Sequence, residues 1–206
     1  SSLALISSEY WPEIGGIGRY SKIIIDESSA VFNTCVVITR QNNKASENGK
    51  TKFIKSIPTS CFSVFSFVKL LLSLPKIRSE LKKSSDILIC DIGGMYLYVI
   101  STLFSFKRRS GRVQFVLHGT EIIRNKKYLK NRVILKIFKK FVKRQNLEFI
   151  AISYTVKNLL DSLNVGISSR VVYNAVSGKI IVNSKNQAKE QAGDWLEILI
   201  VGRLDY

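Results

Sequence analysis

Leu3-Ala4-Leu5-Ile6-Ser7, followed by Pro12-Glu13-Ile14-Gly15-Gly16-Ile17-Gly18-Arg19, decides how the rest of the chain is read. The first stretch is short, continuous and apolar, the pattern of a strand covered on both faces. The second carries the glycines of a strand-to-helix turn, and Ile17–Phe32 continues with helical periodicity. No basic segment precedes Leu3 and no small-residue cleavage site follows Ile6, so the run reads as a buried strand and not as a secretion signal.

The same alternation recurs outward from this unit. Further strands are expected at Thr34–Thr39, Lys52–Ile57, Asp86–Asp91, Arg112–Leu117, Glu148–Ile152 and Arg170–Tyr173. Helices are expected at Phe62–Lys82, Gly94–Phe106, Lys127–Arg144 and Thr155–Leu163. Alternating strands and helices imply right-handed crossovers and a largely parallel sheet. The expected fold class is therefore α/β, doubly wound and Rossmann-like, over residues 1–176. Residues 177–194 are polar and read as an interdomain linker. Residues 195–206, opening with Trp195-Leu-Glu-Ile-Leu-Ile-Val-Gly202, read as the first strand of a second domain.

Charge is concentrated in one place. The chain has 206 residues and a formal net charge of +17. Lys107 to Arg144 contains fourteen Lys and Arg against one acid, Glu121, while the remainder carries eighteen basic and fourteen acidic residues. A local excess of this kind points to a polyanionic surface, either nucleic acid or anionic membrane. Within it, Val133, Ile134, Ile137, Phe138, Phe141 and Val142 form a helical apolar stripe suited to packing on the sheet. Lys136, Lys139, Lys140 and Lys143 fall on the other faces and form a candidate membrane surface. No run reaches the ~20 apolar residues of a spanning helix. The most apolar, Cys61–Leu74, is interrupted by Lys69 and followed by Pro75. Cys35, Cys61 and Cys90 each sit in an apolar run without metal or redox spacing, and read as reduced core cysteines.

Three groups carry candidate chemistry. Gly15 and Gly16 let the backbone take positive φ and bring N–H groups close to a ligand, with the following helix start favouring phosphate, or else serve a plain βα turn that needs glycine. The dinucleotide fingerprint is not met, because Ser21 replaces the third glycine and strand two ends in Thr39-Arg40 without an acid. His118, the only histidine, opens His118-Gly119-Thr120-Glu121 directly after a strand, where ligands sit in open α/β sheets. Ser153 and Thr155 follow a later strand as possible helix caps, and Tyr173-Asn174 ends the last strand of the domain.

Four segments, in order, resemble one family. Glu9-Tyr-Trp-Pro-Glu-Ile-Gly-Gly-Ile-Gly-Arg-Tyr20, His118-Gly-Thr-Glu121, Ala151-Ile-Ser-Tyr-Thr-Val-Lys157 with Tyr173-Asn-Ala-Val176, and Val201-Gly-Arg-Leu-Asp205 are similar to the retaining GT-B glycosyltransferases of family 4. That resemblance implies two Rossmann-like domains facing a cleft, acceptor on the first and nucleotide-sugar on the second. It implies transfer with retention and with no metal or other cofactor. By the same resemblance Gly15 and Gly16 approach the donor phosphate and sugar, His118 lines the reaction centre, and Arg203 contacts the donor diphosphate. Arg19, Glu121, Ser153 and Asn174 fall on the acceptor side of the cleft.

Two departures stand out. Asn174-Ala175-Val176-Ser177 replaces the family's Asn-Gly-Val-Asp, and the donor-domain lysine and paired glutamates are not found before Tyr206. The chain thus resembles the acceptor-side half of an enzyme, inactive alone, expected in the cytoplasm and peripheral at the inner membrane face. Its expected partners are a nucleotide-sugar donor, a glycan or lipid-linked acceptor and an anionic membrane, with no specific nucleic acid. The alternative is a non-catalytic basic α/β module that binds nucleic acid or membrane, although no helix-turn-helix, finger or RNP pattern is present.

Overall fold

The computed structural model describes residues 1–12, 15–45, 49–57, 64–102, 111–119, 132–162 and 169–173, without the side chains of 64–67 and 132–138. The chain divides into two compact units, Ser1–Asn174 and Ala175–Tyr206, and the described residues all belong to the first. The linker and the strand expected from Trp195 lie outside them, as do Arg203, Glu121, Asn174 and Cys61.

The strands are β1 (Ser2–Ile6), β2 (Thr34–Arg40), β3 (Thr51–Ile57), β4 (Asp86–Ile89), β5 (Arg112–Leu117), β6 (Leu147–Ala151) and β7 (Ser169–Val171). The helices are α1 (Gly16–Ser28), α2 (Val64–Lys83), α3 (Ile92–Thr102), α4 (Arg132–Gln145) and α5 (Tyr154–Ser162). All seven strands join one sheet in the order β3-β2-β1-β4-β5-β6-β7, and every pairing is parallel. The architecture is the doubly wound, Rossmann-like α/β fold read from the sequence.

Period-two alternation sorts the strand residues onto two faces. Ala4, Ile6, Val36, Ile38, Ile87, Ile89, Val113, Phe115 and Phe149 point to one face. There they pack against Leu70, Ile77 and Leu81 of α2, Met95 and Tyr98 of α3, Val142 of α4, and Val156 and Leu160 of α5. Leu3, Leu5, Cys35, Val37, Leu88, Cys90, Val116 and Ile150 point to the other, where α1 contributes Ile25 with Ile17, Tyr20 and Ile24 beside it. The central strands read as unbroken apolar runs because both faces are covered. Each fully buried Ile or Leu contributes roughly 1.5–3 kcal/mol, so β1, with Leu5 and Ile6 at 0 % exposure, anchors the sheet.

Neighbouring elements are then tied by polar contacts. Tyr98 on α3 donates its hydroxyl to Gln145 Oε1 on α4 at 3.0 Å, and its ring meets Phe141 edge-on at 6.2 Å. Lys52 of β3 pairs with Glu80 of α2 at 2.9 Å. Cys35 and Cys90 are buried and free, and burial pushes the Cys90 thiol up to about 12. Among the described residues, no helix is long and apolar enough to cross a membrane.

Candidate functional site at the carboxyl edge of the sheet

The strand order reverses between β1 and β4: α1 carries the chain towards β2 and β3, and the later strands run the other way. At such a reversal the loops after the two strands part and leave a crevice at the carboxyl edge, where open α/β sheets bind ligands. The loop after β1 leads to Gly15 and Gly16, the loop after β4 carries Asp91, and His118 follows β5 directly.

Asp91 organises this edge of the sheet. It is 4 % exposed, and its Oδ2 accepts hydrogen bonds from Ser7 Oγ at 2.8 Å, Ser8 N at 2.5 Å and Glu9 N at 3.3 Å. Its Oδ1 accepts from Gly94 N at 2.7 Å, closing the start of α3 as an N-cap. One carboxylate therefore fixes both the loop after β1 and the helix after β4. Gly94 is required beside it, because a Cβ there would stand 2.8 Å from the backbone oxygen of Ile6. The sequence pattern runs the strand to Asp91 and starts the helix at Gly94, whereas the strand ends at Ile89 and the helix starts at Ile92. An aspartate three residues before Gly94 was the N-cap signal that could have found it.

The start of α1 differs from the expectation. Gly15 has φ 165°, an extended conformation open to any residue, and Gly16 is the first residue of the helix. Positive φ among described glycines occurs at Gly49 and Gly119 instead. What Gly16 supplies is room, since a Cβ there would meet nothing within 4 Å. At Gly15 a Cβ would stand 2.9 Å from the Glu9 carboxylate. With glycine at the N-cap, no side chain among the described residues closes this helix start. Asp91 closes that of α3, and Ser153 Oγ accepts from Val156 N at 3.3 Å to close that of α5. Of these three starts at the carboxyl edge, α1 is the one that no side chain among the described residues caps, and the Glu9 carboxylate stands beside it.

His118 is half-buried, and its ring meets Tyr20 of α1 edge-on, centroids 5.6 Å apart and planes at 83°. This contact joins the end of β5 to α1 on the crevice side. Burial, and to a lesser degree Cys90, raises the Tyr20 hydroxyl to about 12, so Tyr20 presents a neutral phenol to the imidazole at ordinary pH. Gly119 follows at φ +102°, and a Cβ there would also crowd Val156 at 3.3 Å, so the chain turns away from the strand only with glycine in that place.

The other expected site residues are placed more loosely. Arg19 is exposed on the first turn of α1. Ser153 serves as the cap of α5, its hydroxyl already engaged. Lys139, Lys140 and Lys143 are exposed on α4; Lys136 lies on that helix, its side chain outside the described residues. Among the described residues, no group of three or more His, Cys, Asp or Glu side chains is placed to hold a metal ion.

The fold and its edge define a Rossmann-like α/β domain whose strand order reverses between β1 and β4. Solved structures share this fold. HepE from Anabaena, in complex with UDP and glucose, matches at 14 % identity and a TM-score of 0.50, over 91 % of this chain and 50 % of that one. The same protein with UDP-glucose matches at 12 % identity and a TM-score of 0.51, over 91 % and 49 %. WaaG, a glycosyltransferase involved in lipopolysaccharide biosynthesis, gives 12 % identity and a TM-score of 0.45, over 92 % and 52 %. The chain spans about half the length of these structures. No family model matches it, and no curated protein matches it.

Proposed function

We propose that this chain is the acceptor-side half of a GT-B glycosyltransferase of the family 4 type. It would transfer a sugar from a nucleotide-sugar, with retention, to a glycan or lipid-linked acceptor in polysaccharide biosynthesis. The observation that carries the reading is the uncapped start of α1, with open space at Gly16, at the sheet's reversal point. It is supported by a fold shared with a protein solved with UDP-glucose. In this reading the first-turn N–H groups at Gly15 and Gly16 meet the donor phosphate, and His118, steadied by Tyr20, lines the reacting sugar. Arg203 is assigned to the donor diphosphate, and Arg19, Glu121, Ser153 and Asn174 to the acceptor side. Transfer is metal-independent, with fixed positive charge and helix dipoles stabilising the departing nucleotide.

Gly16→Ala separates ligand approach from folding. Because a Cβ at this position meets nothing within 4 Å, the variant should fold as well as the native chain. Alanine in place of a helical glycine should even raise stability by about 0.5 kcal/mol. Transfer from nucleotide-sugars, assayed in the protein carrying both halves, should fall by roughly tenfold, since the methyl group occupies the space given to the donor. Unchanged transfer would remove Gly16 from the donor site.

The same reading places the enzyme in the cytoplasm, held peripherally at the inner membrane face through α4. The lysine-rich outward side of this helix should bind vesicles containing anionic lipid, and the attraction should weaken as salt shortens the screening length from ~10 Å at 0.1 M. Replacing Lys136, Lys139, Lys140 and Lys143 with Gln should abolish most low-salt binding, read by co-sedimentation with vesicles. Equal binding to neutral and anionic vesicles would refute an electrostatic anchor, and preferential binding to a nucleic acid sequence would favour the non-catalytic basic module.

A further inference from the structure

The apolar run at Cys61–Leu74 is only partly used by the core. Among residues 68–73, Leu70 alone is a buried apolar side chain, while Val68, Leu71 and Leu72 are 45 %, 46 % and 76 % exposed. These three recur at helical spacing on α2, on the side turned away from Leu70, Ile77 and Leu81. On the neighbouring helix α3, Tyr96 and Ile100 are likewise exposed, 57 % and 40 %, one turn apart and opposite the buried Met95 and Tyr98. Singly exposed apolar residues are ordinary on a protein surface. Five on the outer sides of two helices that touch one another exceed scattered exposure and call for an occupant.

The charge around the patch identifies that occupant. α2 and α3 lie in the same helix layer as α4, which is tied to α3 through Tyr98, Phe141 and Gln145. The outward side of α4 presents Lys139, Lys140 and Lys143, and α2 adds exposed Lys76 beside Leu72. α3 and α4 contain no acidic residue, and the one acid of α2, Glu80, is held by Lys52 and Lys83. Exposed Leu, Ile, Val and Tyr bordered by lysines, with no unpaired acidic residue on α2, α3 or α4, complement an anionic bilayer surface. Apolar side chains enter the headgroup boundary there while the lysines reach lipid phosphates.

We infer that the outer side of α2 and α3 is a membrane-insertion surface that completes the electrostatic contact of α4. This rests on the proposed reading of α4 as membrane-facing and adds penetration to it. Docking through this layer lays the sheet along the bilayer, so that the carboxyl edge opens sideways at headgroup level. A lipid-linked acceptor reaches the crevice there without leaving its leaflet.

The test uses the 206-residue chain and its Val68→Ser, Leu71→Ser, Leu72→Ser triple variant. Each replaced side chain is exposed, and circular dichroism checks that folding is kept. Vesicles of phosphatidylcholine with about one-third phosphatidylglycerol are sedimented at low and high salt. The native chain should retain a fraction of its binding at high salt and raise the surface pressure of an anionic monolayer. The triple variant should lose both and bind at low salt about tenfold more weakly. A lysine-to-glutamine α4 variant should lose low-salt recruitment. If that variant loses recruitment while the triple variant behaves as native, the charge reading stands and insertion is overturned. If the native chain instead self-associates and the triple variant abolishes association without altering vesicle binding, the patch covers a second copy and insertion is equally overturned.

Discussion

Asp91→Ala is expected to lower the stability of the chain by about 4 kcal/mol, a large share of the ~5–15 kcal/mol that ordinarily holds a domain together. The carboxylate is 4 % exposed and receives donors from Ser7, Ser8, Glu9 and Gly94. Hydrogen bonds to a charged group are worth ~1.5–3 kcal/mol each, and a backbone N–H stranded without an acceptor costs ~1–3 kcal/mol. Such effects are not additive, and water entering the vacated space recovers part of them, which sets the expectation near 4 kcal/mol and not near their sum. Asparagine should not rescue the site. Its single oxygen can still serve Gly94, but its amide then turns donors toward the N–H groups of Ser8 and Glu9. Urea unfolding should show a lower midpoint at unchanged slope for both variants, and amide exchange should speed at Ser8, Glu9 and Gly94. A loss below about 1 kcal/mol for alanine would show that other contacts hold the crevice.

The importance of Asp91 also explains where the sequence was readable and where it was not. Strands were legible because β1, β2 and β4 are buried on both faces, and their runs of Ile, Val, Leu, Ala and Cys leave little alternative. Boundaries moved where hydrogen bonding, not composition, sets the end, by two residues at Asp86–Ile89 against an expected Asp86–Asp91 and by four at the end of α1, Ser28 against an expected Phe32. Strand order was not legible: nothing in a strand's own residues says which neighbour it pairs with, so the β1–β4 reversal emerged only from the sheet. Asp91 escaped notice for the same reason. Its donors come from residues more than eighty positions earlier in the chain, apart from the local bond to Gly94. Gly15 and Gly16 join the first strand to the first helix as the sequence suggests, but Gly15 is an extended cap and Gly16 is already helical, with open space where a Cβ would stand. His118 was located at a strand end from spacing alone, whereas its contact with Tyr20 depends on how α1 lies across the sheet.

The second large effect concerns that histidine. In the protein carrying both halves, His118→Ala should reduce turnover by ~100-fold or more, the scale on which removing one preorganised polar group at a reaction centre acts. Its effect on folding should be slight. The alanine loses an edge-on ring contact with Tyr20 worth ~0.5–1.5 kcal/mol, and His118 is only half-buried. A structural histidine would show the reverse pattern, with lost stability and turnover restored on cooling. His118→Gln, which keeps a polar side chain of similar reach, should recover part of the activity if hydrogen bonding to the sugar is the role. The 206-residue chain alone should transfer nothing measurable, because the donor would lack the groups that position it, and orientation can be worth ~7–11 kcal/mol of barrier. The measurement is transfer of labelled sugar from nucleotide donors to a lipid-linked acceptor, run beside urea unfolding of each variant. A fully active His118→Ala enzyme would reduce the residue to packing against Tyr20. Turnover by the chain alone at the rate of the longer protein would end the half-enzyme reading, since every group needed for donor binding would then lie within these residues.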